Sequence, residues 1–157
     1  MISWRMLAGA AVLLGASAAQ IADLSGTWHL NVAKSRWGKH PKPTEATITI
    51  EHHEPAFKYS GSIVFPNGAG GGEETQTFAF DGAIDGKAYP VTGTAGEGML
   101  AFRRDNPTAI ASELKSSDGR LLETAKTIAL PDGTMIREIH AKRPDGDIFW
   151  TEVYERR

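Results

Sequence analysis

A turn signal recurs near the end of the sequence at the spacing of a single β-strand. Asp-Gly pairs follow one another at intervals of 14 and 13 residues, at Asp118-Gly119, Asp132-Gly133 and Asp145-Gly146. Asp and Gly tolerate the positive φ that tight hairpins require, and each interval holds one strand of about eight to ten residues with its turn. A parallel crossover needs a longer connection, so neighbouring strands are expected to be antiparallel.

The rest of the sequence after Gln20 also favours strands. Apolar residues either alternate with polar ones, as in Thr47-Ile48-Thr49-Ile50, or are interrupted by Gly or Pro before three helical turns accumulate. The pattern predicts strands in residues 47–52, 57–65, 73–80, 108–115, 121–130, 135–142 and 148–155. Further turns are predicted at two other Asp-Gly pairs, Asp81-Gly82 and Asp85-Gly86.

Two segments interrupt the strand pattern. Residues 31–44 contain Pro41 and Pro43 and predict a long connection with at most one helical turn, whereas residues 67–72 (NGAGGG) predict a hairpin tip. No helix is expected to cover a flat sheet. A barrel is therefore favoured over an open sheet, because pairing the last strand with the first removes the exposed edges and buries one face. We therefore predict an all-β fold, a single up-and-down antiparallel β-barrel of about 8–10 strands within residues 20–157.

The first nineteen residues have the organisation of a signal peptide. Arg5 gives the start a positive charge, residues 6–16 (MLAGAAVLLGA) are small or apolar, and small residues continue to Ala19. The apolar run is shorter than the ~20 residues that span a bilayer. We expect residues 1–19 to be removed, which predicts a secreted or periplasmic protein without a stable membrane anchor. An uncleaved anchor or a buried N-terminal helix is the alternative.

Composition and spacing exclude several classes of function. The absence of Cys excludes disulfides, thiolate metal sites and cysteine nucleophiles. The 17 Lys and Arg against 19 Asp and Glu give a net charge of −2, so no nucleic-acid partner is expected. His52 and His53 would point to opposite faces of a strand, as would Ser112 and Lys115. The sequence therefore predicts no metal site, no cofactor and no catalytic residue.

Both ends of the chain after Gln20 resemble the calycin superfamily. Gly26-Thr27-Trp28 is similar to the Gly-x-Trp signature of lipocalins and fatty-acid-binding proteins. In combination, residues 26–35, 85–93 and 153–156 resemble exported bacterial lipocalin-like proteins of uncharacterised function. The resemblance implies a lipocalin-like barrel in which Trp28 closes one end and Gly26 permits a bend or a close approach.

Glu152 departs from the pattern of the fatty-acid-binding proteins. They place an Arg two residues before the Tyr of the final strand, where it holds the ligand carboxylate, and Tyr154 matches that Tyr. A fatty-acid carboxylate would meet repulsion from Glu152, so classical fatty-acid transport is not expected. Glu138 and Glu152 both lie within predicted strands, and an outward orientation of both is the favoured interpretation. The partners that could meet them inside the barrel are Arg103, Arg104 and Arg137.

Aromatic residues occur in nearly every predicted strand, where they could line a cavity or fill the barrel. The candidate ligand-binding residues are Tyr59, Phe78, Phe80, Phe102, Trp150 and Tyr154. The leading hypothesis is a barrel that binds one small, largely apolar ligand. The alternative is a protein-interaction module with a packed barrel, which would use residues 67–72 or 41–43. A barrel isomerase or cyclase is less favoured because no catalytic motif is present.

Overall fold

The computed structural model describes residues 19–157, so the expected signal peptide lies outside the described residues except for Ala19. The described residues form ten strands and no helix. The strands are β1 (Gly26–Leu30), β2 (Glu45–His53), β3 (Ala56–Pro66), β4 (Glu73–Ala83), β5 (Ala88–Thr92), β6 (Gly98–Asn106), β7 (Ala109–Lys115), β8 (Leu121–Ala129), β9 (Thr134–Ala141) and β10 (Ile148–Arg156).

Each strand pairs antiparallel with the next one along the chain, and β10 returns to pair with β1. The closing contact places Trp28 opposite Arg156 and Leu30 opposite Tyr154. The sheet is therefore a closed up-and-down barrel of ten strands, which confirms the predicted fold. Closure gives every strand a hydrogen-bonded neighbour on both sides, so the barrel has no edge strand.

The late Asp-Gly pairs form turns as predicted. They connect β7 to β8, β8 to β9 and β9 to β10, and their glycines, which have positive φ, are Gly119, Gly133 and Gly146. The prediction was wrong for Asp81-Gly82, which lies within β4, where Gly82 pairs with Phe57. A Cβ on Gly82 would lie 2.6 Å from the Tyr89 ring, so this glycine makes room for an aromatic side chain.

Strands β5 and β6 complete the barrel, although the sequence pattern does not single them out. β5 has five residues and contains Pro90. Its register with β4 is limited to two pairs, Ala79 with Thr92 and Phe80 with Val91. Residues 31–44 form the expected long connection from β1 to β2, and it contains one helical turn, closed by a 3.2 Å hydrogen bond from the Ser35 backbone N–H to the Asn31 carbonyl oxygen.

Trp28 lies at one end of the barrel and is 1% exposed. Its Nε1 donates a 2.9 Å hydrogen bond to the carbonyl oxygen of Leu24, and the Arg156 guanidinium lies 4.4 Å above the ring centroid. Gly26 has a φ of 131°, and a Cβ there would lie 3.4 Å from the Arg156 side chain. We call this end, with Leu24, Trp28 and Arg156, the closed end.

A histidine network joins the N-terminal segment to the closed end. The backbone N–H of Leu24 donates to His52 Nδ1 at 3.1 Å, so the ring proton is on Nε2, which donates to Glu54 Oε2 at 2.6 Å. Arg104 holds the same carboxylate through two hydrogen bonds of 2.8 and 2.7 Å and, together with His52, lowers the pKa of Glu54. His53 is exposed, which agrees with the expectation that neighbouring histidines face opposite sides.

Candidate ligand cavity inside the barrel

A cavity of about 440 Å³ occupies the barrel on the side away from the closed end. Inward-facing side chains of nine strands, from β2 to β10, form its wall. The larger apolar and aromatic lining residues include Ile48, Ile50, Phe57, Tyr59, Ile63, Phe65, Phe78, Val91, Phe102, Leu114, Leu122, Met135, Ile139, Trp150 and Tyr154. The interior is thus a lined cavity, because the aromatic side chains cover its wall without filling its volume.

Five of the six expected ligand-binding residues lie on the cavity wall, namely Tyr59, Phe78, Phe102, Trp150 and Tyr154. Phe80 is the sixth; it is on the same face of β4 as Phe78 but is not part of the cavity lining, and it is 2% exposed. Its ring stacks on Tyr59 at 5.3 Å and meets Phe102 edge-on at 5.1 Å. Phe80 therefore supports rings that line the cavity and does not line it.

An ion pair lies in the wall of the cavity. The register of β9 and β10 places Arg137 directly opposite Glu152, both on the inner face. Arg137 Nη1 donates to Glu152 Oε2 at 2.9 Å, and Trp150 Nε1 donates to Glu152 Oε1 at 2.9 Å. Burial acts to lower the pKa of Arg137, but Glu152, Tyr154, Glu123 and Tyr59 together outweigh it and the pKa is raised. Arg137 therefore stays charged inside the barrel.

The outward orientation favoured for Glu152 is wrong, because its side chain is 7% exposed and points inward. Glu152 alternates with Trp150 and Tyr154 on β10, so it shares their face. Glu138 is exposed, as the sequence interpretation favoured. Of the three candidate arginines, Arg137 meets Glu152, Arg104 pairs with Glu54, and Arg103 lies 3.5 Å from Asp105.

A second carboxylate, which the sequence analysis missed, also lines the cavity. Glu123 is on β8, on the same face as Ala125 and Thr127, and this alternation is the signal that could have indicated it. Burial raises the pKa of Glu123, and the nearby Arg137 guanidinium opposes part of that rise. The neutral form of the Glu123 carboxyl is therefore favoured more than in solution.

Two tyrosine hydroxyls also belong to the polar part of the cavity. Burial raises the pKa of Tyr59 to about 12. Burial, followed by the charge of Glu152, raises the pKa of Tyr154 well above its ordinary value of 10.0. Both phenols stay protonated at neutral pH, so each offers one donor and one acceptor.

The rim of the cavity, at the end opposite Trp28, includes the side chains of His40, Glu97, Lys142 and Arg143. His40 comes from the β1–β2 connection and stacks on Trp150, with ring centroids 4.0 Å apart. Its Nδ1 is buried without a hydrogen-bond partner, and burial lowers its pKa. The connection is anchored, since Pro43 is among the most buried residues described.

A separate cleft of about 580 Å³ lies on the outer face of strands β6 to β10. Phe149, which is 63% exposed, stacks there on His140 at 4.1 Å. His140 Nε2 in turn lies 2.8 Å from Asp147 Oδ2. Charged residues of both signs line the rest of this cleft, including Arg103, Glu138 and others on neighbouring strands.

Within residues 19–157 no three or more His, Asp or Glu side chains are grouped so as to hold a metal ion. No helix in this part of the chain has the length and apolar character needed to cross a membrane.

The fold and the cavity together define a closed antiparallel β-barrel with an internal, mostly aromatic cavity and a buried Arg–Glu pair. Compared with known proteins, the sequence matches no protein-family model and no curated protein.

Proposed function

We propose that this protein is an exported, lipocalin-like barrel that binds one small, largely apolar molecule inside the barrel. The observation that carries the proposal is the cavity of about 440 Å³ lined by aromatic and aliphatic side chains. Small-molecule sites typically enclose about 300–1,000 Å³ and combine an apolar wall with a few placed polar groups. The barrel interior has both properties, since its apolar wall is interrupted by a few polar groups, namely the Arg137–Glu152 pair, Glu123, Gln76, Thr127 and the two tyrosines.

The ligand contacts in this proposal are the five aromatic residues on the wall. Phe78 and Phe102 offer ring faces and edges to an apolar body, while Tyr59, Trp150 and Tyr154 also carry a polar atom. Trp28 and Gly26 lie away from the cavity and keep the closed end shut. A protein-interaction module remains the alternative, and it is favoured only by the exposed Phe149 ring on the outer cleft.

The test of binding is native mass spectrometry of the protein purified from the periplasm or medium of its own host. We expect an additional mass from a small molecule, in contrast to a bound protein. Ile63→Trp places a large side chain in the cavity, whereas Val64→Trp adds the same side chain on the opposite face of β3. The adduct should be lost in I63W and kept in V64W. An adduct that persists in I63W, or its absence from the wild-type protein, would contradict the proposal.

Export is supported by the charged start, the apolar run and the small residues that end at Ala19. The test is fractionation of the host cells followed by the intact mass of the protein in each fraction. We expect the extracytoplasmic fraction to contain a form that begins at Gln20. A protein that keeps residue 1 and stays in the cytoplasm would overturn this part of the proposal.

A barrel isomerase or cyclase is the less favoured third candidate, supported by Arg137, Glu152 and Tyr154 on one cavity wall. An enzyme and a binding protein differ in what Tyr154→Phe does to the co-purified compound. A binding protein should carry the same molecule in both forms. An enzyme should accumulate substrate in Y154F and product in the wild type, so two different masses would favour catalysis.

A further inference from the structure

The charges inside the cavity are already balanced before any ligand enters. Below the rim, Arg137 is the single cation among the described lining residues. Its Nη1 donates to Glu152 at 2.9 Å, and the register of β9 with β10 holds the two groups directly opposite each other. A carboxylate ligand that approached Arg137 would therefore have to share it with a protein carboxylate at contact distance.

Glu152 is not free to move aside for such a ligand. Its second oxygen accepts a 2.9 Å hydrogen bond from Trp150 Nε1, and its side chain is 7% exposed against 28% for Arg137. The exposed part of Arg137 faces the cavity, because Arg137 lines it from the inner face of β9. Displacing Glu152 would leave it buried without its cation, which is more costly than the pair itself.

An ammonium ligand, like a carboxylate ligand, finds no unpaired opposite charge inside the cavity. The remaining internal acid is Glu123, which lies within the electrostatic influence of both Arg137 and Arg143. Burial raises the pKa of Glu123, which favours its uncharged form. A cationic head group near Glu123 would thus face two guanidinium groups and an acid that resists ionisation.

The groups that remain available are neutral. The hydroxyls of Tyr59 and Thr127 and the amide of Gln76 all lie on lining residues, and each can donate and accept a hydrogen bond. From this arrangement we infer that the ligand has an uncharged polar end, such as a hydroxyl or an amide, and that the cavity discriminates against carboxylates and ammonium ions. The inference rests on the proposed function and specifies which class of molecule the same site accepts.

The first test compares three probes with one apolar body, 1-naphthylmethanol, 1-naphthoate and 1-naphthylmethylammonium, by titration calorimetry at pH 7. We expect the alcohol to bind at least about tenfold more tightly than either ion, because an unpaired charge is costly in an apolar site. If an ion binds most tightly, the inference is wrong while the proposed function stands. If none of the three binds, the proposed function itself fails.

The second test changes the charge balance with Glu152→Gln, which keeps the side-chain shape and leaves Arg137 uncompensated. The affinity for 1-naphthoate relative to 1-naphthylmethanol should rise at least about tenfold. Glu138→Gln is the matched control, because it removes the same charge from the neighbouring, exposed position of β9. E138Q should not alter the relative affinity. An unchanged preference in E152Q, or the same change in E138Q, would overturn the inference.

The wild-type comparison does not depend on E152Q, so the inference remains testable if that variant fails to fold. Arg137→Gln then serves as the opposite change, since it leaves Glu152 as the uncompensated charge. It should raise the affinity for 1-naphthylmethylammonium relative to the alcohol. A relative gain for 1-naphthoate in R137Q would contradict the charge argument.

Discussion

Arg137 and Glu152 face each other across the β9–β10 pairing, with 2.9 Å between Arg137 Nη1 and Glu152 Oε2. Neither residue has another ion-pair partner among the described residues. Trp150 belongs to the same arrangement, because its Nε1 donates a hydrogen bond to the second carboxylate oxygen of Glu152. The pair therefore behaves as one unit, and the loss of one member leaves the other charge inside the barrel without compensation.

We predict that Arg137→Met destabilises the protein by about 3 kcal/mol, because a buried Glu152 is left without a cation. Glu152→Leu should cost a similar amount for the converse reason. The double variant should cost clearly less than the two single effects combined, since it removes both charges together. Urea denaturation followed by circular dichroism measures all three free energies of unfolding. Additive effects of the two substitutions would show that the pair is not coupled.

A prediction for Glu123 follows from the sign of its pKa shift. Burial raises the pKa of Glu123 in the folded protein above its ordinary value of 4.5. Its contribution to stability is then fully present below pH 4.5 and is lost as the pH rises through the folded-state pKa. Glu123→Gln should therefore raise the melting temperature at pH 7 and have little effect at pH 4.

Thermal unfolding at the two pH values measures this difference. Glu138→Gln serves as the control, because Glu138 is exposed on the outer face of β9. The control should change the melting temperature little at either pH. An E123Q variant that is less stable than the wild type at pH 7 would contradict the expected effect of burial.

The barrel was predictable from the sequence because its signals are local. Asp-Gly turns at strand-length intervals and period-two alternation determine the direction and the pairing of β7 to β10 without knowledge of the rest of the chain. β5 has weaker signals, because Pro90 interrupts a run of five residues. Asp81-Gly82 shows the limit of a local rule, since contact with the Tyr89 ring explains this glycine better than a turn does.

The polar wall of the cavity was less predictable, because a charged side chain gives no local sign of its orientation. An outward orientation of the Glu152 side chain was expected because buried carboxylates are rare in proteins. The inward orientation of Glu152 depends on the register that places it opposite Arg137. A register belongs to two strands together, so it cannot be read from the sequence of β10 alone. His40 was missed because the irregular β1–β2 connection has no periodicity from which its contact with Trp150 could be inferred.

Gly61 of β3 is predicted to be essential for the packing of Phe78. A Cβ at this position would lie 2.6 Å from Phe78 Cζ and would collide with the Thr47 carbonyl oxygen. Gly61→Ala should destabilise the protein by about 2 kcal/mol and weaken ligand binding, because Phe78 must move into the cavity. Gly68→Ala is the control, since a Cβ there meets nothing within 4 Å. Chemical denaturation of both variants measures the difference, and equal stabilities would contradict the prediction.

Trp28 is predicted to contribute far more to stability than the exposed aromatic Phe149. Trp28→Ala should cost about 3–5 kcal/mol, because it leaves a cavity and removes the surface beneath the Arg156 guanidinium. Phe149→Ala should change the free energy of unfolding by no more than about 0.5 kcal/mol, because that ring is mostly in solvent. Urea denaturation compares the two variants. A Trp28→Ala variant as stable as the wild type would show that the closed end does not depend on the indole ring.

The rim of the cavity is predicted to loosen in mild acid. Burial lowers the pKa of His40 below its ordinary value of 6.5, Glu152 opposes this effect and Arg143 adds to it. The packing of neutral His40 on Trp150 therefore stabilises the protein above pH 6.5, and the contribution is lost as the pH falls through the lower, folded-state pKa.

His40→Phe keeps an aromatic ring against Trp150 and cannot acquire a charge. The melting temperature of this variant should rise relative to that of the wild type as the pH is lowered from 7 to 5. In NMR spectra, the His40 Cε1–H resonance, assigned by its absence from H40F, should titrate with a midpoint below 6.5. A midpoint at or above that value would contradict the burial of His40, because exclusion from water is the largest effect that opposes protonation of the stacked ring.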